Sequence, residues 1–260
     1  MIVFELTGSE QHPVYQALEI SNGNRHYDFL HSIVGISLAM GRPFLSQQII
    51  KALNFHAIAC LHIRAGEYRP CKVTAGQHRP PPHYSVPALM DDFVNVVNRC
   101  WERADEVALA THVLWRLNNI HPFINGNDRT ARASCYYVLC VKAGFLLPGT
   151  TILPELIRQN HQEYVDGLQE GHDSGGANLT KLHALLTRLI AEQLATAQPA
   201  TASPTAPPQA QTNPQSVELV AKALFDAMPS NNPNGPPNWD NQPESIKEVF
   251  RARARHSAIR

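Results

Sequence analysis

No excess of charge marks this sequence: 22 lysines and arginines face 22 aspartates and glutamates, so no global field points to nucleic acid or a membrane surface as partner. No run approaches the ~20 apolar residues that a membrane span requires. The opening Met1-Ile2-Val3-Phe4-Glu5 lacks the basic-then-apolar pattern of a signal peptide. Together these absences lead to the expectation of a soluble, cytoplasmic-type protein, with a secreted effector as the lesser alternative, since delivery through a secretion system leaves no cleaved leader. Cysteine is scarce: Cys60, Cys71, Cys100, Cys135 and Cys140 form an odd set without a CxxC pair, and most sit in apolar helical patterns as small hydrophobes. Thirteen histidines are present, but no HExxH or HxxxH spacing, so scattered core and surface histidines are expected rather than a zinc site.

What is there is mostly helix. From Arg25 to Met40 the apolar positions Phe29-Leu30, Ile33-Val34, Ile36 and Leu38 recur at helical spacing, and Gly41-Arg42-Pro43 ends them. Ser46 can cap a second helix running through Ile49, Leu53, Ile58 and Leu61. Further amphipathic stretches run from Val86 to Cys100, Asp105 to Leu117, Pro154 to Leu168 and Leu179 to about Leu194. Between Ala65 and Pro82 the helical pattern breaks: Gly66, Pro70 and Pro80-Pro81-Pro82 exclude a continuous helix, leaving strands and an irregular loop.

One stretch carries chemistry: His121-Pro122-Phe123-Ile124-Asn125-Gly126-Asn127-Asp128-Arg129-Thr130-Ala131-Arg132. Pro122 keeps the chain extended, Asn125-Gly126-Asn127 tolerates turn dihedrals, and Asn127 or Asp128 can cap a helix starting near Arg129. The apolar run from Ala133 to Val141 suits a helix buried on most sides. Free N–H groups at such a turn form an anion cradle, and Arg129 and Arg132 project from one side of the first turn. His121 precedes the cradle, where a general base for an attacking hydroxyl belongs; an imidazole near its ordinary pKa is mostly neutral at pH 7.

This stretch resembles the Fic-domain motif HPFx(D/E)GN(G/K)R, in which a second arginine often follows three residues later. His121, Pro122, Phe123, Gly126, Asn127, Arg129 and Arg132 match. The resemblance implies an all-α fold: a helical bundle with a small β-hairpin flap, here placed near residues 70–82. It implies transfer of AMP from ATP, with Mg²⁺, onto a Ser, Thr or Tyr hydroxyl of a target protein that docks edge-on against the flap. His121 would be the base, Phe123 a core anchor, Gly126 and Asn127 the anion hole, and Arg129 and Arg132 the phosphate clamps.

Two positions depart from the motif. Asn125 stands where an acidic metal ligand is usual and Asp128 where Gly or Lys is usual. Asn125 still offers an uncharged carbonyl oxygen to a metal. Asp128 has three open roles: an outward helix cap, a replacement metal ligand, or a negative charge that weakens or redirects nucleotidyl transfer. A non-catalytic or donor-switched Fic-fold interaction module is the alternative reading. The family's inhibitory pattern (S/T)xxxE(G/N) has no match, since Leu156 follows Glu155 in the nearest candidate, so any restraint is expected from a separate inhibitory partner.

Composition divides the chain into a helical domain over 1–195, a Pro/Ala/Thr/Gln linker over 196–215, and a largely disordered tail over 216–260 with short helices near 217–228 and 244–254. Ten of the twenty prolines fall after residue 195, too many for a packed core. The arginines of 251–255 are read as a solvated basic end.

Overall fold

The computed structural model describes residues 2–41 and 43–197, with positions Glu244, Lys247 and Arg251 of the tail. Within the first compact unit, Met1–Pro199, the described residues form α1 (Val3–Thr7), α2 (Pro13–Met40), α3 (Gln47–Ile58), α4 (Val86–Cys100), α5 (Glu106–Ile120), α6 (Asn127–Ala143), α7 (Leu153–Gln159), α8 (His161–Asp173) and α9 (Thr180–Ala195). No strand occurs among them, and the architecture is all-α. In the second unit, Ala200–Arg260, the three described positions are helical and Arg251 pairs with Glu244. The expected linker beyond Ala197 and the helix near 217–228 lie outside the described residues, as does most of the helix near 244–254.

The bundle is built around α6. Every residue from Thr130 to Val141 is buried, so that part of the helix has no solvent face, and α5 runs along it as its most extensive neighbour. Helix α2 contributes a stripe: Tyr15, Asn22, His26, Leu30, Val34 and Ser37, spaced seven, four, four, four and three apart. The stripe closes on α6, where Ser37 and Tyr137 share a hydrogen bond of 2.8 Å.

Helix α2 begins at Pro13, twelve residues before the expected Arg25. Proline tolerates the first turn, and the His12 ring accepts from the Val14 N–H at 3.2 Å. Ser21-Asn22-Gly23-Asn24 has loop composition, yet Asn22 is buried and donates to the Ala59 carbonyl at 2.9 Å. A tertiary hydrogen bond thus overrides the local preference. Ser46 does cap α3, accepting from the Ile49 N–H at 3.2 Å. That helix stops at Ile58 rather than Leu61, because Cys60 turns left-handed with φ 62°.

The expected hairpin over 70–82 reduces to one antiparallel bridge, Ala75 to His78. Pro70 and Pro80 to Pro82 supply no N–H to a ladder, and the carbonyls of Cys71 and Pro81 are taken by the Arg69 side chain. The segment lies beside the α5–α6 junction, where the motif falls.

Candidate active site

His121 ends α5 in the left-handed region, φ 52° and ψ 60°, with its N–H bonded to the Leu117 carbonyl at 2.9 Å. Phe123 is wholly buried and contributes about 2–3 kcal/mol as the loop's anchor. The Asn127 side chain folds back over the loop, accepting from the Phe123 N–H at 2.8 Å and donating to the Phe123 carbonyl at 2.9 Å. From α3, buried Asn54 donates to the Asn125 carbonyl at 2.9 Å and to Thr130 Oγ1 at 3.2 Å. Its own oxygen accepts from the Gly66 N–H at 3.0 Å.

Helix α6 starts at Asn127, earlier than expected, and neither Asn127 nor Asp128 caps it. Gly126 occupies the cap position with φ 73° and no side-chain hydrogen bond. A Cβ there would lie 2.7 Å from Ile58 Cγ2, so glycine is required by both dihedral and space. The first helical bond into this turn is Thr130 N–H to the Gly126 carbonyl, 2.9 Å. The amides of residues 127–129 therefore lack an acceptor in the helix. A cavity of about 300 Å³ opens on this turn, lined by Thr74, His121, Asn125, Gly126, Asn127, Asp128 and Arg129 among others. A wider one, about 720 Å³, lies between residues 75–78 and α8; His121 and Asp128 line both.

Burial pushes the His121 imidazole down to about 4, helped by the Arg69 cation and opposed by the hydrogen bond to the Asn118 backbone. The ring is thus more firmly neutral at pH 7 than an ordinary histidine, and intrinsically a weaker base.

The two arginines differ. Arg129 lines the smaller cavity and pairs with Glu19 of α2 at 2.9 Å, while also donating to Asn125 Oδ1 at 3.3 Å. Arg132 lines neither cavity. Its side chain is 6% exposed and pairs with Asp128, leaving its Nε buried without a hydrogen-bond partner. Asp128 stands in front of it, its other oxygen accepting from the Tyr164 hydroxyl at 2.7 Å. Tyr164 in turn accepts from Asn118 at 2.9 Å. Of the roles left open for Asp128, the outward cap is not adopted: its carboxylate forms part of the cavity wall.

The candidate metal ligands are committed elsewhere. Asn125 Oδ1 accepts from the Gly126 N–H at 2.5 Å, and its amide group donates to Glu10 at 3.0 Å and His62 at 2.9 Å. Asp128 is held by Arg132 and Tyr164. Among the described residues no three His, Cys, Asp or Glu side chains converge as a metal-binding group. With the Asn125 oxygen and both Asp128 oxygens already hydrogen-bonded, neither residue presents a free oxygen to Mg²⁺ in this arrangement.

Arg69 and His78 attach the 70–82 segment to the motif. The Arg69 guanidinium donates to the carbonyls of His121 (2.7 Å), Cys71 (3.0 Å), Pro81 (2.5 Å) and Ile120 (3.5 Å). His78 donates through Nε2 to the Asn119 carbonyl at 2.8 Å. Its ring stacks on His172 of α8, centroids 3.9 Å apart and planes within 8°. Burial and the neighbouring His78 lower His172 to about 4.

Residues 44–139, from the segment before α3 through most of α6, match the Fic/DOC family model. The chain carries a Fic-family domain. Solved Fic proteins share its fold: a fragment of Caenorhabditis elegans Fic-1 (TM-score 0.54, 22% identity, covering 68% of this chain and 49% of that one) and a Fic-domain signalling protein of Bacteroides thetaiotaomicron (0.53, 22%, 67% and 68%). A Fic family protein of Desulfovibrio desulfuricans matches at 0.55 and 18% identity, covering 85% of this chain and 62% of that one. In sequence the chain is 28% identical over 153 residues to the protein adenylyltransferase Fic of Drosophila willistoni, 54% of this chain and 30% of that protein. The chain spans about three-tenths of the length of the curated relatives it matches.

The motif residues His121, Gly126, Asn127 and Arg129, and the departing Asp128, thus gather around one pair of cavities, with Arg132 behind them. Sequence reasoning missed Asn54, Arg69, Tyr164, Glu10, Glu19 and His62. Arg69 had a signal, closing Gly66-Glu67-Tyr68-Arg69 at the start of the break in helical pattern. Asn54 interrupts the apolar Leu53-Phe55 pair. The acidic residues at 10 and 19 had none.

Proposed function

We propose that the chain is a Fic-type transferase moving AMP from ATP onto a hydroxyl side chain of a target protein. The observation that carries this reading is His121, held neutral where a wide cavity meets an uncapped helix start. The target hydroxyl loses its proton to the imidazole as its oxygen attacks the α-phosphorus. An O–P bond forms, the bond to the bridging oxygen breaks, and pyrophosphate leaves. Phosphate oxygens would take the free amides of residues 127–129 and the Arg129 guanidinium, with Glu19 released from Arg129. An imidazole at about 4 is a weak base in the empty site; phosphate charge beside it raises its proton affinity when donor is bound. The nucleoside would occupy the larger cavity, of about 720 Å³, and the target segment would lie along 70–82, whose Ala75 to His78 line it.

One observation favours the second reading, a donor-switched or non-catalytic module: the Asp128 carboxylate faces the cavity and screens Arg132 from it. Incubating the full chain and a cell lysate with α-phosphate-labelled ATP, and in parallel with other labelled nucleotide donors, tests both. Labelled protein with the wild type and none with His121→Ala supports the first reading. Label from another nucleotide alone supports the second, and no label from any donor removes the enzymatic reading.

A further inference from the structure

We infer that Arg69 is a positioning residue for His121, tying the carbonyls at the end of α5 to those of the 70–82 segment so that base and target edge share one geometry. The inference rests on the reading of His121 as base and of 70–82 as the docking edge.

Arg69 is 3% exposed, and every acceptor its guanidinium meets is a neutral carbonyl. Burying a cation without a countercharge is costly, and a neutral amide could hold two carbonyls without that cost. What the arginine adds is span and charge. Its fork reaches Ile120 and His121 on one side, Cys71 and Pro81 on the other, four acceptors that one amide cannot cover.

The shortest contact to the α5 end, 2.7 Å, falls on the carbonyl of His121 itself, the residue held at φ 52°. A non-glycine residue there is strained by about 1–2 kcal/mol, and the hydrogen bond from Arg69 holds the peptide that fixes the ring's direction. The Arg69 main-chain N–H donates to the Pro122 carbonyl at 2.9 Å, so one residue brackets both peptides of the His121-Pro122 pair. The cation also opposes protonation of the imidazole beside it. Severing this link leaves the 70–82 segment joined to α5 through His78 and Asn119.

Arg69→Lys and Arg69→Gln in the full chain separate the two contributions. Lysine keeps the charge but cannot bridge four carbonyls; glutamine loses both charge and span. With isotope-labelled histidine, the His121 titration midpoint read by NMR should rise by about half a unit or more in Arg69→Gln and stay near wild type in Arg69→Lys. In the transfer assay kcat should fall about tenfold or more in both, with KM for ATP within about twofold, as misplacement of a base predicts. A folded Arg69→Lys variant with wild-type kcat overturns the positioning role, as does an unmoved His121 midpoint in folded Arg69→Gln. If Arg69→Gln does not fold, Arg69→Lys decides alone. Failure of both to fold makes Arg69 a folding residue and overturns the inference. If the wild type transfers nothing, the transferase reading fails by itself, and the NMR titration still tests the link between Arg69 and His121.

Discussion

The motif loop at 121–127 and the facing segment at 70–82 both lack regular structure, yet they are held in different ways. The loop is secured from within by Asn127 on both backbone groups of Phe123, from below by Asn54, and by buried Phe123. The facing segment has a single bridge and is held at its two ends by Arg69 and near its tip by His78. The half that would perform chemistry is preorganised by packing, and the half that would meet a partner is suspended from it by a few side chains. Stiffness suits groups that must meet a reacting atom, whereas an edge that accepts different segments gains from being loosely tied.

That contrast can be tested, the largest effect first. His121→Ala should abolish transfer while changing the melting temperature by no more than a few degrees, since the loop's other anchors remain; labelled transfer and thermal melting check it. Retained activity would place the base elsewhere.

Two glycines compare the halves directly. Gly126 at φ 73° and Gly76 at φ 58° both lie in the left-handed region. A Cβ on Gly126 would meet Ile58 and Asn54, whereas one on Gly76 would meet nothing within 4 Å. Gly126→Ala should cost about 3 kcal/mol or more, backbone strain plus overpacking.

Acid should act on buried rings in and around the site. His121 and His26 are lowered to about 4 chiefly by burial, and so is His172 beneath His78. Between the ordinary histidine value of about 6.5 and about 4, the unfolded chain binds more protons than the folded one. Stability should therefore fall as pH drops through this window, by on the order of a few kcal/mol at its lower end. Melting temperatures from pH 7 to pH 4 measure it, and a flat profile would contradict the burial of these rings.

The smallest effect is expected for Gly76→Ala, about 1 kcal/mol from dihedral strain alone. If urea unfolding gives equal losses for Gly76→Ala and Gly126→Ala, the two halves do not differ as described.

How much of this was legible in advance follows from where each signal resides. The helix–motif–helix order and the buried α6 were readable, because apolar spacing and the 121–132 pattern are local. The start of α2 was not, because Asn22 and His26 are polar residues justified only by their partners on the α3 side. Asp128 shows the same limit: its position beside Arg129 left a cap open, whereas its partners are Arg132 one turn on and Tyr164 from α8. The hairpin expected over 70–82 came from resemblance, and its prolines and the reach of Arg69 reduce it to one bridge.

The pairing of Arg129 with Glu19, and of Asn125 with Glu10, bears on modularity. Both acidic residues precede the 44–139 stretch that matches the family model. The boundary of the recognisable domain is therefore not the boundary of the site: a graft of 44–139 onto another scaffold would carry the motif but shed two of the carboxylates around it. Its anion loop would be more cationic than the original, and nucleotide affinity measured on such a graft would describe a different binding site.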